Sequence, residues 1–286
     1  MLNNFIKENL EKNNVKNLNQ LESVLREICQ RIILIGLSQT TFFNYAAFYG
    51  ETCLRIFHSL NRWSEDLDFQ VTSSDGASKI NLDDYSVYCK NELESYGLST
   101  SISSKEAYDG GEIIRRYFDI SIYDLACEYL KTKSINKEKK ISIKLEVSTV
   151  YIPKAKYEIK LLASPSFSSV LCFDYSSLFS GKISALLLRE WRNRTKGRDY
   201  YDYIFYLSHD VKFNMEYLKE KLSYSFKRNM DNIDIVFVRK LLEEKFQETD
   251  YKEVINDVKQ FLFNEKDIEG LKKEYFIESL NLLECN

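Results

Sequence analysis

Proline is nearly missing from this sequence and glycine is sparse, at two and nine of 286 residues. That argues against long flexible linkers, so the chain reads as packed domains with short connections. Histidine occurs only twice, at His58 and His209, which leaves little for a zinc site. The six cysteines (Cys29, Cys53, Cys89, Cys127, Cys172 and Cys285) are scattered, with no Cys-x-x-Cys pair. They read as the reduced thiols of a cytosolic protein. Long apolar runs are also missing. The longest early one, IILIGL at 32–37, is far too short to cross a bilayer, and the polar opening MLNNFIKENLEKNNVKN lacks a signal-peptide core. A soluble, cytoplasmic protein is expected. Neither charge sign dominates: the net value is −3, so affinity for nucleic acid would need a local basic patch.

What is present is an ordinary globular balance, 44% hydrophobic and 29% charged, in a chain long enough for one large domain or two ordinary ones. Leu18, Leu21, Leu25, Ile28, Ile32 and Ile35 fall at helical spacing, and Gly36 then weakens or ends that helix. Residues 52–59 read as a short helix, DLDFQV at 66–71 as a strand followed by a turn, and 81–97 as a helix. Two strand-like stretches come next, EIIRRYFDISIY at 112–123 and KKISIKLEVSTV at 139–150. The second alternates cleanly, with Ile141, Ile143, Leu145 and Val147 on one face and Ser142, Lys144, Glu146 and Ser148 on the other. INKEKK between them reads as a solvated hairpin turn. From about 174 onward the pattern is helical, and the Tyr-rich DYYDYIFYL reads as helix core. The fold class is therefore α+β: an N-terminal lobe, 1–165, with a small mixed sheet, and a C-terminal helical lobe, 166–286.

Asp66 and Asp68 stand two apart on a predicted apolar strand, so their side chains leave the same face. Two like charges there repel and resist desolvation, and a divalent cation would balance them. Paired carboxylates suit Mg²⁺, a hard cation that takes oxygen ligands, with Mn²⁺ as its substitute. A third carboxylate on a neighbouring strand would complete a two-metal site, and Glu146, on the polar face of its alternating strand, is the best candidate. Such a site can activate an acceptor hydroxyl and steady a triphosphate leaving group. Taken alone, Asp-x-Asp is common and fits solubilising acids on an edge strand better than a catalytic pair. The glycine turn at Gly50 adds context, because glycine lets a backbone amide approach phosphate closely.

Gly50 followed by Arg62-x-Ser64-x-Asp66-Leu67-Asp68-Phe69 resembles the signature of the DNA polymerase β-like nucleotidyltransferases. More narrowly, it resembles the AbiEii/AbiGii toxin family, in which Gly-Gly-Thr-x-Leu-Arg leads to Arg-x-Ser-x-Asp-Leu-Asp-Phe. The second half of the chain continues the likeness: GKISALLLREWRNRTKGRDYYDYIF supplies Lys182, Ala185-Leu186-Leu187, Arg189 and then Lys196-x-Arg198-Asp199-x-x-Asp202. Glu51 stands where the family has its second glycine.

The resemblance implies a nucleotidyltransferase-like first lobe and an active cleft between it and the helical lobe. Asp66, Asp68 and Glu146 would be catalytic metal ligands, with Glu146 also the general base. Gly50, Thr52, Ser64, Lys182 and Arg198 would bind the nucleotide. Asp199 and Asp202 would be catalytic or would position Lys182, Lys196 or the base. Each has a plainer reading: a solvated strand acid for Glu146, a surface helix lysine for Lys182, a strand-end hydrogen bond for Ser64, a bridge to Asp202 for Arg198. Arg55 and Arg62 read as structural. The implied partners are a nucleoside triphosphate, an RNA acceptor such as the 3′ end of tRNA, and a cognate antitoxin whose direct contact stays open. The basic run Arg189, Arg192, Arg194, Lys196, Arg198 would border the cleft, whereas Lys131, Lys133, Lys137, Lys139 and Lys140 read as a solvated turn. Two rivals remain: a catalytically inactive nucleotide-binding or interaction module on the same fold, for which Glu51 is the argument, and a structural helical scaffold.

Overall fold

The computed structural model describes residues 3–104, 111–188 and 196–286. The chain divides into two compact units: Met1–Phe57, Ser64–Tyr151 and Ile159–Cys172 in the first; His58–Trp63, Ile152–Glu158 and Phe173–Asn286 in the second.

In the first unit the elements run α1 (Asn4–Lys12), α2 (Leu18–Ser38), β1 (Ala46–Tyr49), α3 (Gly50–His58), β2 (Leu67–Val71), α4 (Gly76–Lys79), α5 (Leu82–Ser95), β3 (Thr100–Ser103), β4 (Ile113–Ser121), α6 (Tyr123–Leu130), β5 (Lys140–Ser148), β6 (Tyr157–Leu162) and β7 (Ser168–Phe173). Asparagine starts three of the helices: the side chains of Asn3, Asn17 and Asn81 accept from the backbone N–H of Phe5, Gln20 and Asp83. The seven strands form one mixed sheet in the order β3-β4-β5-β2-β1-β7-β6. β1 and β2 are antiparallel, β2 and β5 parallel, and β4 antiparallel to both β3 and β5. On β5 the alternation read from sequence holds: Ile141, Ile143, Leu145 and Val147 are buried and the residues between them are not.

Two local expectations give way. Gly36 does not end its helix, because α2 continues to Ser38. Its lack of a side chain serves packing instead: a Cβ at Gly36 would lie 2.6 Å from Cys89 Cα, so α2 meets α5 at backbone contact. INKEKK is a solvated turn leading into β5, but the connection from β4, its antiparallel neighbour, is longer than a simple hairpin because it also contains α6, and Lys140 already belongs to β5. The sheet is also wider than the three strands visible in the sequence, since β1, β3, β6 and β7 join it.

The second unit is helical, with α7 (Tyr175–Leu188), α8 (Gly197–Ser208), α9 (Met215–Phe226), α10 (Ile235–Glu248), α11 (Tyr251–Val258) and α12 (Lys273–Ser279). The Tyr-rich α8 supplies core, as its pattern implies: Tyr200, Tyr203 and Tyr206 are buried, Tyr206 stacks on Phe179 at 4.6 Å, and the Tyr200 hydroxyl bonds Thr249 Oγ1 at 2.9 Å. No helix among the described residues is long and apolar enough to cross a membrane.

Gly36→Ala is expected to lower stability by about 1–3 kcal/mol, the usual cost of forcing two packed elements apart. Gly181→Ala on α7, where an added Cβ meets nothing within 4 Å, is expected to be neutral or stabilising. Urea midpoints of the two variants check both outcomes.

Candidate active site

Register assembles the charged residues of the first unit. Tyr49 on β1 is opposite Asp68 on β2, Asp68 is beside Glu146 on β5, and Glu146 is opposite Arg115 on β4. Residues in register share a sheet face, so these four strands carry one continuous row, Tyr49–Asp68–Glu146–Arg115. Arg115 Nε donates to Glu146 Oε1 at 2.5 Å. Burial, then Asp68 and Glu146, push the Tyr49 phenol above its ordinary range.

A second row lies two residues along. Asp66 comes just before the first residue of β2, and Lys144 is two residues before Glu146 on β5. The Lys144 ammonium reaches both rows, with Nζ 3.0 Å from Asp66 Oδ2 and 3.0 Å from Glu146 Oε2. Burial raises the Asp66 carboxyl; Lys144 opposes that rise, and Glu146 and Glu51 add to it. Burial alone would lower Lys144, but Asp66 and Glu146 more than offset it and hold the ammonium above the usual lysine range. Glu51, in the family glycine's place, is buried in the first turn of α3, where its charge is felt at Asp66.

The backbone before β2 is fixed by buried polar groups. The Thr52 hydroxyl bonds Ser64 Oγ at 2.6 Å and donates to the Asp66 carbonyl. Gln30 on α2 donates to the carbonyls of Ser64 and Glu65, at 3.1 and 2.9 Å. Gly50 has a φ of +78°, and a Cβ there would lie 2.7 Å from Asp68 Oδ2. The position therefore demands glycine twice, for its backbone and for the room it leaves Asp68. Arg55 bonds Glu27 at 2.8 Å, a partner it shares with Arg31.

The donor chemistry suits a hard cation. Asp68 and Glu146 lie on adjacent strands with Asp66 just before one of them, and a stand-in cation, the Lys144 ammonium, is already gripped by two of these carboxylates. The acids are not drawn to a common point as they stand: among the described residues no three acidic, histidine or cysteine side chains form a cluster able to hold a metal ion.

The second unit gathers the remaining residues. Lys182 on α7 places Nζ 2.7 Å from Asp199 Oδ1 and 2.7 Å from Asp202 Oδ2, both on α8. Arg62 also grips Asp202, with Nε donating to Oδ1 and Nη2 to Oδ2, each at 2.7 Å. Arg62 and Asp202 are fully buried, and Lys182 is 10% exposed. Arg198 does not bridge Asp202. Its guanidinium lies over the Phe261 ring at 4.2 Å, with Asp257 at 4.0 Å. Gly197 lets α8 start against α11, since a Cβ there would lie 2.0 Å from the Val254 carbonyl oxygen. Of the basic run, Arg189, Arg192 and Arg194 lie outside the described residues. Lys139, from the other run, pairs with Glu22 at 2.8 Å.

Sequence reasoning missed Tyr49, Arg115 and the reach of Lys144. Alternation placed Lys144 beside Glu146, but only strand order shows that it also meets Asp66. Asp202→Ala is expected to cost about 3–5 kcal/mol, because it strands the buried Arg62 guanidinium beside Lys182. Urea unfolding measures this.

Residues 32–272 match the family described as nucleotidyl transferase AbiEii toxin, type IV toxin–antitoxin system. No curated protein sequence matches the chain. Several solved structures share the fold. JHP933 from Helicobacter pylori is 20% identical, covering 91% of this chain and 93% of its own, with a TM-score of 0.50. The nucleotidyltransferase toxin MenT4 from Mycobacterium tuberculosis is 14% identical, covering 95% and 89%, with a TM-score of 0.51. With the family matched over residues 32–272, most of the sequence, the chain belongs to the AbiEii nucleotidyl transferase toxins of type IV toxin–antitoxin systems.

Proposed function

We propose that this chain is an active toxin that transfers a nucleotide from a nucleoside triphosphate to an acceptor hydroxyl on RNA, with the 3′ end of tRNA as the first candidate. The observation that carries the proposal is the in-register pair Asp68 and Glu146, with Asp66 one residue before β2. In this reading Asp66, Asp68 and Glu146 hold Mg²⁺, or Mn²⁺ in its place. When bound, the cation supplies charge that neutralises the triphosphate and eases ionisation of the acceptor hydroxyl. The hydroxyl oxygen forms a bond to the α-phosphorus, the α–β phosphoanhydride bond breaks, and pyrophosphate leaves. Glu146 takes the hydroxyl proton. Gly50 would let its backbone amide approach the phosphates closely. Thr52 and Ser64 steady the Asp66 backbone and border the nucleotide. Lys182 gives the nucleotide a positive charge, with Asp199 and Asp202 fixing its ammonium, and Arg198 is a further phosphate contact. The setting is the cytoplasm, with a cognate antitoxin as partner and phage defence as the wider role.

Support for catalysis over an inactive module comes from the acids themselves. Asp66 is an acid at a partly buried position where desolvation raises its pKa, although Lys144 opposes the rise. A binding module would gain by losing such a group.

Incubation with each α-labelled nucleoside triphosphate, Mg²⁺ and total bacterial RNA tests the proposal. Label is expected in RNA, abolished by chelation and reduced at least about a hundredfold by Asp68→Asn. Label in neither RNA nor protein, with triphosphate binding intact, would contradict it and favour the inactive module.

A further inference from the structure

The Lys144 ammonium takes the place at the carboxylates that a cation from solution would need. Its Nζ is 3.0 Å from Asp66 Oδ2 and 3.0 Å from Glu146 Oε2, while Arg115 holds the other Glu146 oxygen at 2.5 Å. Asp66 and Glu146 are thus already ion-paired by side chains on the sheet. The Lys144 and Asp66 side chains are 27% and 34% exposed, so this pair meets solvent, where ion pairs are weak enough to exchange. The backbone beneath does not need to move for such an exchange. Asp66 is anchored through its carbonyl by Thr52, and Glu146 lies mid-strand in register with both neighbours.

We propose that Lys144 is a resident counter-cation that a divalent metal ion must displace from Asp66 and Glu146, and that it thereby sets the metal affinity of the site. The inference rests on the reading of Asp66, Asp68 and Glu146 as metal ligands. Lys144 serves the carboxylates in two ways. Without metal it keeps a cluster of acids that also feels Glu51 from repelling itself apart. Toward metal it is a competitor, so the site fills only when the incoming ion outweighs a salt bridge already in place. A triphosphate arriving with the ion would favour that exchange, because the released ammonium gains a new anionic neighbour.

Binding of Mn²⁺ to the full chain, followed by the loss of the free-ion electron paramagnetic resonance signal, tests this directly and needs no turnover. Lys144→Met is expected to bind Mn²⁺ about tenfold more tightly than the unaltered protein, as removal of a positive charge at ion-pair distance implies. Lys144→Arg, which keeps the charge, is expected to stay near the unaltered value. If Lys144→Met does not fold, Lys144→Gln takes its place with the same expected direction. Equal or weaker binding by the folded neutral variant would overturn the proposal and make Lys144 a fixed strut. If neither the unaltered nor the neutral protein binds Mn²⁺, the metal-ligand reading itself falls, and the inference with it.

Discussion

The parallel pairing of β2 with β5 is the constraint on which the chemistry of the first unit depends. Strands far apart in sequence become neighbours, and their register decides which charges meet. With Leu67 beside Leu145, Asp68 must lie beside Glu146. A slip of one residue would send the acids to the apolar face and bury them without compensation. The buried faces of the two strands prevent that slip, because Leu67, Phe69, Leu145 and Val147 are all withdrawn from solvent. Hydrophobic burial on one face thus holds like charges together on the other.

The protein balances buried charge in two physical regimes. In the second unit, Arg62 and Asp202 are fully buried and joined by two hydrogen bonds, with Lys182 completing the group. A bidentate pair so deep has no solvent to exchange with and acts as a fixed brace. In the first unit, Lys144 and Asp66 remain about a third exposed, so the same kind of pairing is exchangeable. Fixed charge suits a lysine whose position matters. An exposed pair of this kind can exchange partners, which the proposed metal binding at Asp66 and Glu146 would require.

Much of this was legible in the sequence because it depended on local patterns. The alternation of β5, the helical spacing of α2 and α5, and the acids around Leu67 all carry periodic signals that survive without tertiary information. Gly50 was legible for its turn but not for the room it leaves Asp68. β1 was invisible because AAFY is a short apolar run without alternation, and β6 and β7 lay in a stretch punctuated by Pro153 and Pro165. The role of Gly36 also escaped, since a close approach to Cys89 is a fact about α5. Lys144 shows the limit most clearly. Its face was readable, but its two partners required knowing that β2 and β5 are neighbours, which no local pattern states. Arg62 was readable as structural, while its partner lies 140 residues away in Asp202.

The most direct test of the central claim, that Asp66, Asp68 and Glu146 form a metal-dependent triphosphate site, is calorimetric binding of a non-hydrolysable nucleoside triphosphate with and without Mg²⁺. The account predicts binding that requires Mg²⁺ and disappears in Asp68→Asn. Triphosphate binding of equal strength without the metal, or undiminished in that variant, would contradict it.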